Sequence, residues 1–118
     1  MIATKSNDGE VQLIVYNYNE TDDDLSISDE MAIQVTGLSK GEFTMHQYAL
    51  DREHNNTYRE WQRLGEPKSS VEANLSSLRK MAEISETGFS TLKNSDDLLE
   101  LKVNLPRHSM MLIKLNRK

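Results

Sequence analysis

Cysteine is absent from this chain, and proline and aromatic residues are scarce: two Pro, two Phe, one Trp and four Tyr in 118 residues. Without cysteine there is no disulfide, no Cys-ligated zinc and no thiol nucleophile, so the core stands on packing alone and cysteine usage is silent about the cellular compartment. Long apolar runs are missing too. None approaches the roughly 20 residues that a membrane-spanning helix needs. Residues 1–9 (MIATKSNDG) lack the apolar centre and small-residue cleavage pattern of a signal peptide. Positive charge is in deficit, with 14 Lys and Arg against 19 Asp and Glu. A net charge of −5 argues against nucleic-acid and anionic-membrane partners, which need a concentrated positive face. The nearest approach to a basic patch is Arg107 and His108 with Lys114, Arg117 and Lys118, read here as a solvated end.

What is present suits one domain over residues 1–118, a length that buries about two thirds of its unfolded surface. Residues 2–5 read as a short strand, and Asn7-Asp8-Gly9 as the turn of a hairpin. Residues 11–18 (VQLIVYNY) are β-branched and aromatic on both alternating faces, which predicts a central strand covered on both sides. Met31, Ile33 and Val35 alternate with Ala32, Gln34 and Thr36, and Leu99, Leu101, Val103 and Leu105 with Glu100, Lys102 and Asn104, so each of these strands has one wet face. Residues 43–50, 89–92 and 110–115 complete the β character. Between them, residues 58–64 and about 70–84 show helical spacing, the second opened by a Ser69/Glu72 capping box. The expectation is a mainly β fold, an antiparallel β-sandwich of seven or eight strands. Strands fill 1–57 and 87–118, and a short helical insertion spans roughly residues 58–84.

The stretch over residues 43–67 holds the only Trp, two of the Tyr and two of the three His. Its middle, residues 51–57 (DREHNNT), is a dense polar junction between a strand and a short helix, and a site and a structural corner would look alike there. Asp51, Glu53 and His54 carry metal-ligand atoms, but at a spacing that matches no defined site, so turn and cap hydrogen bonds are the favoured reading. Glu20, Asp22, Asp23 and Asp24 could hold calcium, yet without EF-hand order they read as an exposed acidic turn. Glu53, Glu60 and Glu100 nominate no glycosidase-like carboxylate pair. Ser109 and His108, being adjacent, cannot serve each other as nucleophile and base. No catalytic constellation emerges. Trp61, Tyr58, Tyr48 and Tyr16 could form a sugar-stacking platform; the plainer reading has Trp61 and Leu64 facing inward and pinning the short helix to the sandwich.

One resemblance is specific. Residues 48–61 (YALDREHNNTYREW), followed by Gly65 and Pro67, resemble the C-terminal region of glycoside hydrolase family 39 β-xylosidases, a group that includes α-L-iduronidases. Val15-Tyr16-Asn17-Tyr18-Asn19, Val35-Thr36-Gly37-Leu38 and Leu105-Pro106-Arg107-His108-Ser109 extend the resemblance over most of the chain, with 85–93 divergent. The resemblance implies a retaining glycosidase whose two glutamates sit on a (β/α)8 barrel preceding this region. No position here matches either glutamate motif, so the implied role is a non-catalytic accessory sandwich packing on that barrel, with β-xylosidase as first substrate class and no cofactor. Alternatives are an independent carbohydrate-binding module, or a protein-interaction domain with homo-oligomerisation through the parent. Asp51, Arg52, His54, Asn55, Tyr58 and Trp61 are the candidates for a barrel-docking surface or a structural corner.

Overall fold

The alternating stretches form seven antiparallel strands in the computed structural model, which describes residues 1–18, 27–68, 72–95 and 97–118, with residues 72–74 as backbone only. They are β1 (Ile2–Lys5), β2 (Val11–Asn17), β3 (Ser28–Thr36), β4 (Gly41–Leu50), β5 (Gly88–Asn94), β6 (Leu98–Pro106) and β7 (Ser109–Arg117). Two helices, α1 (Thr57–Arg63) and α2 (Glu72–Ala82), interrupt them between β4 and β5. One sheet runs in the order β1-β2-β7-β4-β5, and β3 pairs with β6 in a second. The mainly β architecture with a helical insertion is therefore the one that the alternation predicts. The acidic residues 20–24, Ser69 and Val71, and the side chain of Glu72, lie outside the described residues, and with them the calcium and capping-box readings.

The core lies between the sheets. Val11, Leu13 and Val15 of β2, Met111, Ile113 and Leu115 of β7, and Phe43, Met45 and Ala49 of β4 face Ile33 and the β6 row Leu99, Leu101, Val103 and Leu105. Each such aliphatic side chain contributes about 1.5–3 kcal/mol when taken out of water. Among the described residues every buried apolar side chain except Leu38 lies on a strand, and the helices pack chiefly on each other.

That arrangement corrects one expectation. β2 is not covered on both sides: beside its buried row, Ile14 is half-buried and Tyr16 exposed. The second helix ends at Ala82, within two residues of the expected end near residue 84, and leaves Ile84 exposed. The basic residues at the C-terminal end also fail to form one patch. Arg107 lies in the turn before β7 and Arg117 at the far end of that strand, where its guanidinium donates to Ser39 Oγ and, at 3.1 Å, to Lys40 O.

Candidate functional site

β4 ends at Leu50, and the polar junction turns the chain from sheet to helix. Asp51 organises the first half of the turn. Its Oδ1 accepts from the amides of Glu53 at 2.8 Å and His54 at 2.7 Å, and His54 Nδ1 stands 2.9 Å from both carboxylate oxygens. An aspartate that can bond the backbone two and three residues on is what makes such a turn local. Asn56 organises the second half: it is the N-cap of α1, its side-chain oxygen accepting from Arg59 N at 3.1 Å while its Nδ2 donates to the Asp51 and Arg52 carbonyls. Both amide functions are used. Among the described residues, no three His, Asp or Glu side chains converge as a metal site would require.

Asn55 is the residue that ties the helical excursion to the sandwich. It adopts the left-handed conformation, with φ of +52°, which asparagine tolerates better than most residues. From there its Nδ2 donates to Ala49 O at 2.7 Å and Ser85 O at 3.0 Å, and its Oδ1 accepts from Ser85 N at 2.8 Å. One side chain thus clamps the way out of β4 to the way back from α2. Thr87 adds to the closure, its amide donating to Gln47 O at 2.8 Å and its hydroxyl accepting from Ala49 N at 3.0 Å.

Trp61 does not pin the helix to the sandwich. Its ring stacks on Tyr58, 5.6 Å between centroids at 29°, and its Nε1 donates to Pro67 O at 3.2 Å, so its directional contacts stay inside the excursion. The buried residue of α1 is instead Glu60, 7% exposed. Its carboxylate takes a two-pronged hydrogen bond from Arg63, 2.7 Å to Nε and 2.5 Å to Nη2, and a third from Ser77 Oγ of α2 at 2.9 Å. Hydrogen bonds from Arg63 first, and from Ser77 second, hold its pKa down to about 2, below the ordinary 4.5. A carboxylate lowered in the folded state stabilises fully above its unfolded value and loses that contribution as pH falls through the folded one. The α1–α2 contact is therefore expected to weaken between about pH 4.5 and pH 2. Amide exchange in residues 57–82, corrected for its intrinsic pH dependence, should rise over that window. In Glu60→Gln the rise should be absent.

The exposed side of the corner faces the β6–β7 turn across a groove of about 650 Å³. Arg52, Asn55, Tyr58 and Arg59 line one wall and Pro106, Arg107 and His108 the other, with Leu50 at the base of β4. Of the six singled-out residues, the structure brings Asp51, Arg52, Asn55 and Tyr58 to this groove. His54 and Trp61 are not among its lining residues. Arg107 and His108, which sequence reading assigned to a solvated end, do line it; only the antiparallel return of β7 beside β4 places that turn there. Ser109 begins β7 buried, its hydroxyl donating to Pro106 O at 2.6 Å, and so is occupied structurally.

No family model matches the chain. Among solved structures, the GH39 enzyme of Xanthomonas axonopodis pv. citri superposes on 98% of this chain with a TM-score of 0.77 at 13% identity, over 25% of its own length. The chain has the fold of one quarter of a GH39 enzyme. A monomeric β-xylosidase from Caulobacter crescentus CB15 matches 98% of this chain with a TM-score of 0.66 at 22% identity, again over 25% of its own length. A bacterial orthologue of human α-L-iduronidase matches 99% with a TM-score of 0.67 at 17% identity, over 22% of its length. The sandwich is thus matched almost end to end, while about three quarters of each neighbour has no counterpart in the 118 residues.

Proposed function

We propose that the chain is the non-catalytic C-terminal sandwich of a GH39-type glycoside hydrolase, with β-xylosidase as the first substrate class, and that it supports a catalytic barrel lying outside these residues. The observation that carries this reading is the mismatch of coverage, 98% of this chain against 25% of the GH39 enzyme and of the β-xylosidase. The internal duties of the candidate residues fit it as well. Asp51, Asn55 and Glu60 are spent on hydrogen bonds that hold the chain together. Arg52, His54 and Tyr58 are exposed at the corner and suit an edge against the barrel.

The purified chain should not hydrolyse a chromogenic xyloside, and xylo-oligosaccharides should leave the emission of its single tryptophan unchanged. Hydrolysis above the buffer rate would sink the proposal. A second reading, an independent carbohydrate-binding module, draws on Tyr58, which is 63% exposed while stacked on Trp61 beside the groove. A saturable change in Trp61 emission on titration would favour it, since a sugar stacked on Tyr58 would bind a ring whose centroid lies 5.6 Å from that of Trp61.

A further inference from the structure

The outer face of a sandwich sheet that meets water should alternate polar residues outward. The five-stranded sheet breaks that rule in register. Ile2, Ile14, Leu112 and Tyr48 stand in one row across β1, β2, β7 and β4, and Tyr16, Met110 and Leu50 form the adjacent row. Ile2 is 58% exposed, Tyr16 54% and Met110 45%, with the other four half-buried. The next row ends in Phe89, 60% exposed and edge-on to His46 at 5.0 Å. These side chains have no duty in the core, which the opposite face of the same strands already fills. A contiguous apolar surface on this scale marks an interaction site, and aromatic residues and Met with cations at the margin are the composition of a protein interface.

The margin says what the partner looks like. Lys114 Nζ lies 5.7 Å over the Tyr48 ring, and beyond Leu50 the face runs into the groove lined by Arg52 and Arg107. Neither of those arginines forms an ion pair with a described residue, in a chain whose net charge is −5. We infer that the outer face of the five-stranded sheet is the main docking face of this domain, and that its partner is an apolar protein surface edged with carboxylates on the part of the parent enzyme outside this chain. The inference rests on the accessory-domain reading and moves the contact's centre from the 51–61 corner, which becomes its rim. A second copy is the poorer occupant, because a two-fold pairing sets the same patch against itself and offers Lys114, Arg52 and Arg107 only the groove's Asp51, whose Oδ1 already accepts from the Glu53 and His54 amides.

Hydroxyl-radical footprinting of the 118-residue chain and of the longer polypeptide encoded at its locus tests this. Tyr16, Tyr48 and Met110 should oxidise readily in the chain alone at any concentration, and several-fold more slowly in the longer polypeptide. A Tyr16→Glu/Met110→Glu variant should keep the circular dichroism of the chain, since both side chains are about half exposed, and should lose the protection of Tyr48 in the longer polypeptide. Protection confined to residues 51–61 would overturn the inference and leave the accessory-domain reading standing. Protection that grows with the concentration of the chain alone would assign the face to a second copy and overturn it too. The accessory-domain reading is judged separately, by whether the longer polypeptide cleaves the chromogenic xyloside.

Discussion

Asn55→Ala is expected to destabilise the chain by about 4 kcal/mol and to lower its melting temperature by roughly 15 °C. The clamp consists of three hydrogen bonds from one side chain, to Ala49 O, Ser85 O and Ser85 N. Each contributes about 1 kcal/mol, and alanine at φ of +52° adds strain of about 1 kcal/mol that asparagine largely avoids. Two companions separate the causes. Asn55→Gly relieves the backbone and loses only the bonds, so it should melt above the alanine variant. Asn55→Asp keeps an acceptor for Ser85 N but turns a carboxylate toward two carbonyl oxygens, and should be at least as damaging as alanine. Thermal unfolding followed by circular dichroism orders the three. An alanine variant melting within a degree or two of the parent would mean that Thr87 and the helix pair, and not Asn55, hold the excursion in place.

The strands were legible because each has its own period. β6 alternates Leu99, Leu101, Val103 and Leu105 with polar residues, and all four are buried in the structure. The corner was legible only as a corner. Asp51 and Asn56 bond within five residues, so a polar turn could be read from residues 51–57 directly. Asn55 reaches across 30 residues to Ser85, and Ser77 reaches 17 back to Glu60; no local pattern encodes partners at that distance. The misreading of Trp61 has the same origin. On a seven-residue helix the largest apolar ring looks like the anchor, but the position that turns inward is Glu60, whose burial is tolerable only because Arg63 and Ser77 satisfy it. The left-handed asparagine was the available signal. An Asn-Asn pair before a helix supplies both a residue that accepts positive φ and an N-cap, and the structure uses one for each.

β7 was the strand that period could not orient, since residues 110–113 are Met-Met-Leu-Ile without a polar break. Its neighbours decide. Ile113 is fully buried between the sheets, opposite Leu13 and Gln47, while Leu112 is half-buried on the outer face between Ile14 and Tyr48. Ile113→Ala is therefore expected to cost about 3–4 kcal/mol, the transfer term plus a cavity that the paired strands cannot close. Leu112→Ala in the same chain should cost about 1 kcal/mol, because a half-exposed side chain leaves little void behind. Chemical denaturation of the two variants measures the difference, and near-equal losses would mean that the outer face is already covered in the isolated chain. The contrast should narrow in the longer polypeptide. If the parent enzyme lays an apolar surface over Ile14, Leu112 and Tyr48, then Leu112 becomes a core residue of the assembled protein and its truncation takes on the cost of a cavity, while the cost of Ile113→Ala stays where it was. A strand apolar on both faces is what a sheet with a core on each side requires; these 118 residues build one core, and the proposed docking would supply the other.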